Sequence, residues 1–247
     1  MADFRGEVAD YYVTYRRGYP PAVADAIAGA FRLGDGDTVL DLGCGSGQLT
    51  TALAGRVGAV IGMDPEPDML ARAPRAANVS YRRGSDRDVP GLDAELGAMT
   101  VAVAIHWMDR DALFRAVRPK LRAGGGIAVV TNGAPLWAQD TGWSRELRSA
   151  LEGLLGRPVT ASCQTDPEGR ALTADALARA GYRVGETTVE YDAPLTIEEL
   201  AGGAFSALSS LELPSPGVRQ AFADSLRERL GDGLVEQVRV TVQLGWC

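Results

Sequence analysis

The residues of this chain best suited to chemistry lie in the run VLDLGCGSGQLT, residues 39–50, where Gly43, Gly45 and Gly47 separate an apolar stretch from a helical one. Without Cβ atoms, glycines let a strand-to-helix turn tighten and let its backbone approach a ligand. Asp64 closes the next apolar run, GAVIGMD, 21 residues after Gly43. A carboxylate at that place can accept both hydroxyls of a ribose, so the two features together imply a ligand containing a nucleoside. A dinucleotide fingerprint needs a third glycine at the position held by Gln48, and the GxGxG spacing therefore disfavours a pyrophosphate. Asp41, just ahead of the loop, suits a cationic amino-acid moiety better than a phosphate, because anion sites at helix N-termini gain from positive surroundings.

His106 is the sole histidine and stands in AIHWMDR, residues 104–110, at the end of a further apolar run. With an ordinary pKa near 6.5, it is read either as a general base or as a polar wall of the ligand pocket. Trp107, Trp137 and Trp143 are candidates to line an apolar acceptor pocket, the alternative being that they fill cores. No His, Cys and Asp cluster has metal-ligand spacing, so no metal is expected. Cys44, Cys163 and Cys247 are scattered and form no CxxC, which predicts free thiols. A formal charge of −7 lacks the concentrated basic face that nucleic acid demands, and a small molecule is the expected partner.

These residues need a scaffold, and 247 residues with 46% hydrophobic content predict one sizeable domain. The start MADFRGEVAD has no charged and apolar leader pattern, and no apolar run approaches the roughly 18 to 20 residues that cross a bilayer. A soluble, cytoplasmic protein without a membrane partner is expected. The strand patterns DTVLDLG (37–43), GAVIGMD (58–64), NVSYRRG (78–84), GAMTVAVAIHW (97–107) and GGIAVVTN (125–132) alternate with helical ones such as RDALFRAVRPKL (110–121), capped by Asp109 or Asp111. Continuous apolar strands predict a parallel sheet with helices on both faces, an α/β fold. Residues 133–166 read as irregular, TADALARAGY (173–182) as a helix ending at Gly181, and YRVGETTVEY as a strand. TIEELAGGAFSAL and GVRQAFADSLRERL then read as helices, with Glu198, Glu199 and Arg227 to Arg229 on solvated faces, before a final strand VRVTVQLGW. The expected organisation is a single domain over 1–247, with N-terminal lid helices in 1–36, a cofactor core in 37–132 and substrate-cap insertions in 133–170 and 194–232. Within DYYVTYRRGYPP, Tyr11 with Tyr15 and Tyr12 with Arg16 share helix faces; Gly18 is placed to end that helix, and Pro20 and Pro21 to begin the next.

With these segments in this order, most of the chain resembles the class I S-adenosylmethionine (SAM)-dependent methyltransferases, in particular the small-molecule branch similar to trans-aconitate methyltransferase-like proteins. VLDLGCGSGQ resembles that family's first motif, GMDPEPDML its second, RRGSDRDVP its adenine-edge segment and AIHWMDR the stretch after its fourth strand, and the N-terminus carries a YxxxRxGYP-like segment. The resemblance implies a Rossmann-like, seven-stranded, mostly parallel sheet with its last strand antiparallel, helical cap insertions and SAM as cofactor. It implies cofactor contacts at Asp41, Gly43, Gly45, Gly47 and Gln48, with Asp64 on the ribose and Pro65 to Met69 flanking the adenine. Ser85 stands where many relatives carry an acid, so the adenine amino group falls to Ser85, Asp86 or neighbouring backbone. Tyr15 would cover the methionine end, with Arg16 or Arg17 on its carboxylate. The implied activity is methyl transfer to a small molecule, a natural product among the options, with oxygen ahead of nitrogen or carbon, in a monomer or homodimer. The competing reading keeps fold and cofactor but catalyses a non-methylating step such as cyclisation.

Overall fold

In the computed structural model, which describes residues 4–160 and 163–247, the short apolar runs pair into one seven-stranded sheet. Its strands are β1 (Thr38–Leu42), β2 (Ala59–Asp64), β3 (Val79–Arg83), β4 (Leu96–Ala102), β5 (Leu121–Thr131), β6 (Arg183–Leu195) and β7 (Leu234–Trp246), in the order β3-β2-β1-β4-β5-β7-β6. Strands β1 to β5 pair in parallel, with Leu40 opposite both Ile61 and Met99. Strand β7 runs antiparallel to β5, from Gly126 opposite Trp246 to Thr131 opposite Thr241. The central strands are apolar on both faces, as parallel strands covered by helices must be. At the edge, β6 exposes Glu186, Thr188, Glu190 and Asp192, which discourages pairing with another chain.

Helix starts follow local chemistry. The helices are α1 (Gly6–Tyr15), α2 (Pro21–Phe31), α3 (Gln48–Ala54), α4 (Pro67–Ala71), α5 (Arg110–Val117), α6 (Gly142–Leu155), α7 (Pro167–Arg179), α8 (Ile197–Phe205) and α9 (Pro216–Leu230). Asp109 caps α5 by accepting from the Ala112 amide at 3.0 Å, while Asp111 pairs with Arg179 of α7 instead. Asp166 caps α7 and Pro167 opens it, so that helix begins six residues before the TADALARAGY pattern. Residues 133–166 are not irregular throughout. Thr141 caps α6, left-handed Gly156 closes it, and Trp143, Leu147 and Leu151 fall on one buried stripe. Helix α1 ends at Tyr15, ahead of Gly18.

The chain divides into two compact units. The sheet unit comprises Gly18–Gly133, Cys163–Val189 and Arg239–Cys247; its core includes Leu40, Leu42, Met99, Val101, Phe114, Ile127, Val129 and Leu177. The helical unit comprises Met1–Arg17, Ala134–Ser162 and Glu190–Val238, with a core around Leu147, Leu151, Leu200, Phe205, Phe222 and Leu226. Residues 1–3 of the lid segment and 161–162 of the cap segment lie outside the described residues. Within the helical unit, several charges read as solvated are engaged. Arg227 of α9 pairs with Glu198 of α8, and Glu199 both accepts from Arg17 and completes a capping box with Thr196. No helix of the described residues is long and apolar enough to cross a membrane.

Candidate functional site

Between the end of β1 and the start of α3 the chain reverses through Gly43 (φ 68°), Gly45 (φ 54°) and Gly47 (φ 78°), all left-handed. That conformation costs an ordinary residue roughly 1–2 kcal/mol. A Cβ on Gly43 would stand 2.6 Å from Ala104 Cβ, and one on Gly47 would overlap the Tyr81 hydroxyl. The loop's own folding therefore requires these glycines. Its amides anchor it to β2: Gly43 N and Cys44 N donate to Met63 O at 2.7 and 3.1 Å, and Gly45 N donates to Asp64 Oδ2 at 2.8 Å. Asp64 Oδ1 accepts from Glu66 N at 2.8 Å. A carboxylate has about four lone-pair positions, so Asp64 keeps acceptor capacity for a pair of vicinal hydroxyls. Burial raises its pKa, and the two backbone donors oppose that shift.

Asp41 lies beneath the loop rather than on its surface. Only 1% exposed, it accepts from Thr50 Oγ1 of α3 at 2.6 Å and from Thr100 Oγ1 of β4 at 2.8 Å. It braces strand, loop and helix. Burial pushes its carboxyl up to about 6. Gln48 opens α3, Pro65 is exposed after β2, and buried Met69 of α4 brings its Cε to 3.3 Å from where a Cβ on Gly45 would be. Buried Cys44 has its thiol pKa driven upward by desolvation, which suppresses thiolate chemistry. After β3, Ser85 and Asp88 form a capping box, with Ser85 Oγ 3.1 Å from Asp88 Oδ2. Half-buried Asp86 makes no side-chain hydrogen bond or ion pair to a described residue.

His106 sits on a short 3-10 turn, Ile105–Trp107, beyond β4. The strand ends at Ala102, earlier than its apolar pattern, because Val103 turns the chain at φ 49°. Burial and, secondarily, the Arg110 charge lower the His106 pKa, so the ring is neutral at neutral pH. Trp107 is 51% exposed with its ring 4.7 Å from that of His106.

Residues 39–125 match the family described as a methyltransferase domain. An uncharacterized methyltransferase of Mycobacterium tuberculosis is 36% identical over 158 residues, which are 62% of this chain and 60% of that protein. The chain thus spans about 60% of the length of these curated relatives. A candidate type II methyltransferase of Anaeromyxobacter dehalogenans superposes with a TM-score of 0.62 at 23% identity, covering 94% of this chain and 97% of that one. A geranyl diphosphate methyltransferase solved in complex with SAM gives a TM-score of 0.50 at 21% identity, over 98% and 91% of the two chains. The fold is that of the class I methyltransferases.

In this methyltransferase fold the sheet unit gathers the glycine loop, Asp64, Met69, Ser85, Asp86 and His106. Tyr15, Arg16, Trp137 and Trp143 belong to the helical unit. There the ring of Tyr15 lies so close over Gly202 that a Cβ would overlap it, and Tyr11 stacks 5.4 Å from Tyr15. Arg16 lies 5.2 Å from the Tyr12 ring and donates from Nε to Ser206 Oγ at 2.7 Å. Arg17 is committed to two carboxylates, Glu199 at 3.4 Å and Glu236 at 3.3 Å. Trp143 fills the core of its unit, its indole N–H donating to Val235 O at 3.2 Å, and Trp137 packs at that core's margin. Sequence reasoning missed Tyr81, whose ring packs across Gly62 and Gly47 and whose hydroxyl donates to Pro74 O at 3.1 Å. Burial lifts its phenol to about 12. The available signal was its place as the one aromatic residue in NVSYRRG, next to a strand carrying Gly62. It also missed Asn132, which follows β5 directly. Among the described residues no His, Cys, Asp and Glu group is placed to hold a metal ion.

Proposed function

We propose that this chain is a SAM-dependent methyltransferase acting on a small-molecule acceptor. The observation that carries the reading is the Asp64 carboxylate at the end of β2, bonded to Gly45 of the adjacent loop and retaining acceptor positions for a ribose. The loop Gly43 to Gln48 borders the cofactor, Pro65 and Met69 flank its adenine, and Asp41 holds the loop. Asp86 takes the adenine amino group in preference to Ser85, whose hydroxyl is engaged with Asp88. Tyr15, with Arg16 or Arg17 on the methionine carboxylate, is carried by the sequence resemblance alone.

Bound SAM supplies an already activated methyl group. The protein's task is then to hold the acceptor in line, and orientation of that kind is worth roughly 7–11 kcal/mol. Neutral His106 is the group to receive the acceptor's proton, which favours a hydroxyl oxygen over nitrogen or carbon. Exposed Trp107 offers an apolar flank beside it. Calorimetric titration with SAM and S-adenosylhomocysteine (SAH) tests the reading. Binding is expected, weakened at least tenfold in Asp64→Ala and reduced in Arg16→Ala or Arg17→Ala. Absence of binding to the wild-type protein overturns it.

A further inference from the structure

Three buried polar atoms beyond the carboxyl ends of β4 and β5 have no hydrogen-bond partner among the described residues: His106 Nδ1, Asn132 Oδ1 and Nε of Arg110, whose guanidinium donates through Nη2 to Gln164. Buried polar atoms are nearly always satisfied, so each needs an explanation. Asp41 and Asp64 beside the glycine loop, by contrast, each have protein partners: Asp41 in Thr50 and Thr100, and Asp64 in the Gly45 and Glu66 amides, with acceptor positions left over.

The backbone brings the histidine and asparagine atoms to one edge. Strands β4 and β5 are parallel neighbours, with Ala102 opposite Val130. The next residue, Val103, is held at φ 49°, a conformation that a β-branched side chain adopts only under strain. Its amide donates to Val130 O at 2.9 Å, tying the exit of β4 to β5 two residues before Asn132. The turn then lays Ala104 and Met108, on either side of His106, against Gly43. Glycine loop, His106 and Asn132 therefore share the carboxyl edge of the sheet, where open α/β sheets bind their ligands.

We propose that His106 and Asn132 form the polar pair that grips the reacting hydroxyl of the methyl acceptor, so that the substrate class is an alcohol or phenol. The proposal rests on the SAM-dependent reading above. A neutral imidazole accepts the O–H hydrogen at Nδ1. A half-turn of the Asn132 amide presents Nδ2 where Oδ1 lies and lets it donate to the same oxygen. That arrangement directs the oxygen's remaining lone pair. When this pair forms the bond to the methyl carbon, the methyl–sulfur bond breaks with its electrons passing to sulfur. The hydroxyl proton moves to His106, giving an ether, SAH and an imidazolium that releases its proton to water.

Because His106 is the only histidine, its ring nitrogens give a single, unambiguous set of NMR signals. In protein saturated with SAH, phenol is expected to shift the Nδ1 resonance, whereas anisole, which has no hydroxyl hydrogen, leaves it in place. Asn132→Ala should weaken phenol binding roughly five- to tenfold while SAH affinity holds. Should that variant lose SAH binding through misfolding, Asn132→Ser reads the same shift. An equal response to anisole, or phenol affinity unaltered by the Asn132 change, overturns the pair. Wild-type protein that binds SAH yet ignores phenol overturns the pair alone; wild-type protein that fails to bind SAH overturns the cofactor reading and the pair's role with it.

Discussion

Asp41 and Gly47 show what single residues contribute beneath the site. Burial raises the Asp41 carboxyl from 3.8 to about 6 despite two threonine hydroxyls that favour its charged form. A carboxyl raised on folding adds stability that is complete below its unfolded pKa and is lost as pH rises through the folded one. Wild-type protein should lose roughly 2 kcal/mol relative to Asp41→Asn between pH 4 and pH 7.5, read by urea unfolding of both proteins at each pH. At Gly47, both the left-handed backbone and the overlap with Tyr81 oppose a side chain. Gly47→Ala is expected to cost about 1–3 kcal/mol. Removing the Tyr81 hydroxyl by Tyr81→Phe should recover the steric part, giving a non-additive double-mutant cycle. The glycines and Asp64 were legible because their chemistry repeats at a fixed place after a strand. Tyr81 was not, because its approach to the loop crosses from one strand to another, and sequence spacing carries no such distance.

At the scale of elements, starts and stops are set by caps that sequence patterns locate only in part. Thr196 opens α8 and exchanges hydrogen bonds with Glu199. Thr196→Ala should lower stability by about 1 kcal/mol, seen as a reduced midpoint in thermal unfolding. The strands β1 and β2 and the second half of β5, 125–131, were readable from their apolar runs, whereas β5 begins at Leu121, where the helical pattern RDALFRAVRPKL still ran although α5 stops at Val117. The end of β4 was not, since GAMTVAVAIHW stays apolar past Ala102 while the backbone turns at Val103. Helix α6 was hidden for the opposite reason. Its buried stripe of Trp143, Leu147 and Leu151 is narrow and set among charged and small residues, and it becomes apolar surface only once a helix is assumed. The sequence left the tryptophans there open between pocket and core; Trp143 belongs to a core, where Val235, far along the chain, supplies its hydrogen-bond acceptor.

For the whole molecule, binding to the native state is the broadest test. SAH at about a hundred times its Kd should stabilise the protein by about 2.7 kcal/mol, measured as a raised melting midpoint, while a pyridine dinucleotide should leave the midpoint unmoved. The sequence by itself determined the parallel α/β sheet, a terminal strand and the glycine loop followed by Asp64, because periodicity, turn residues and strand-end motifs are local and act within a few residues; the antiparallel direction of that last strand was implied by the family resemblance alone. Only the tertiary structure decided that Asp41 is a buried brace, that Arg17 is bound to two carboxylates, and that His106 and Asn132 follow neighbouring strands at one edge of the sheet. Each of those outcomes depends on which distant side chain fills the space next to a given atom, a distance that exists only after the strands have paired.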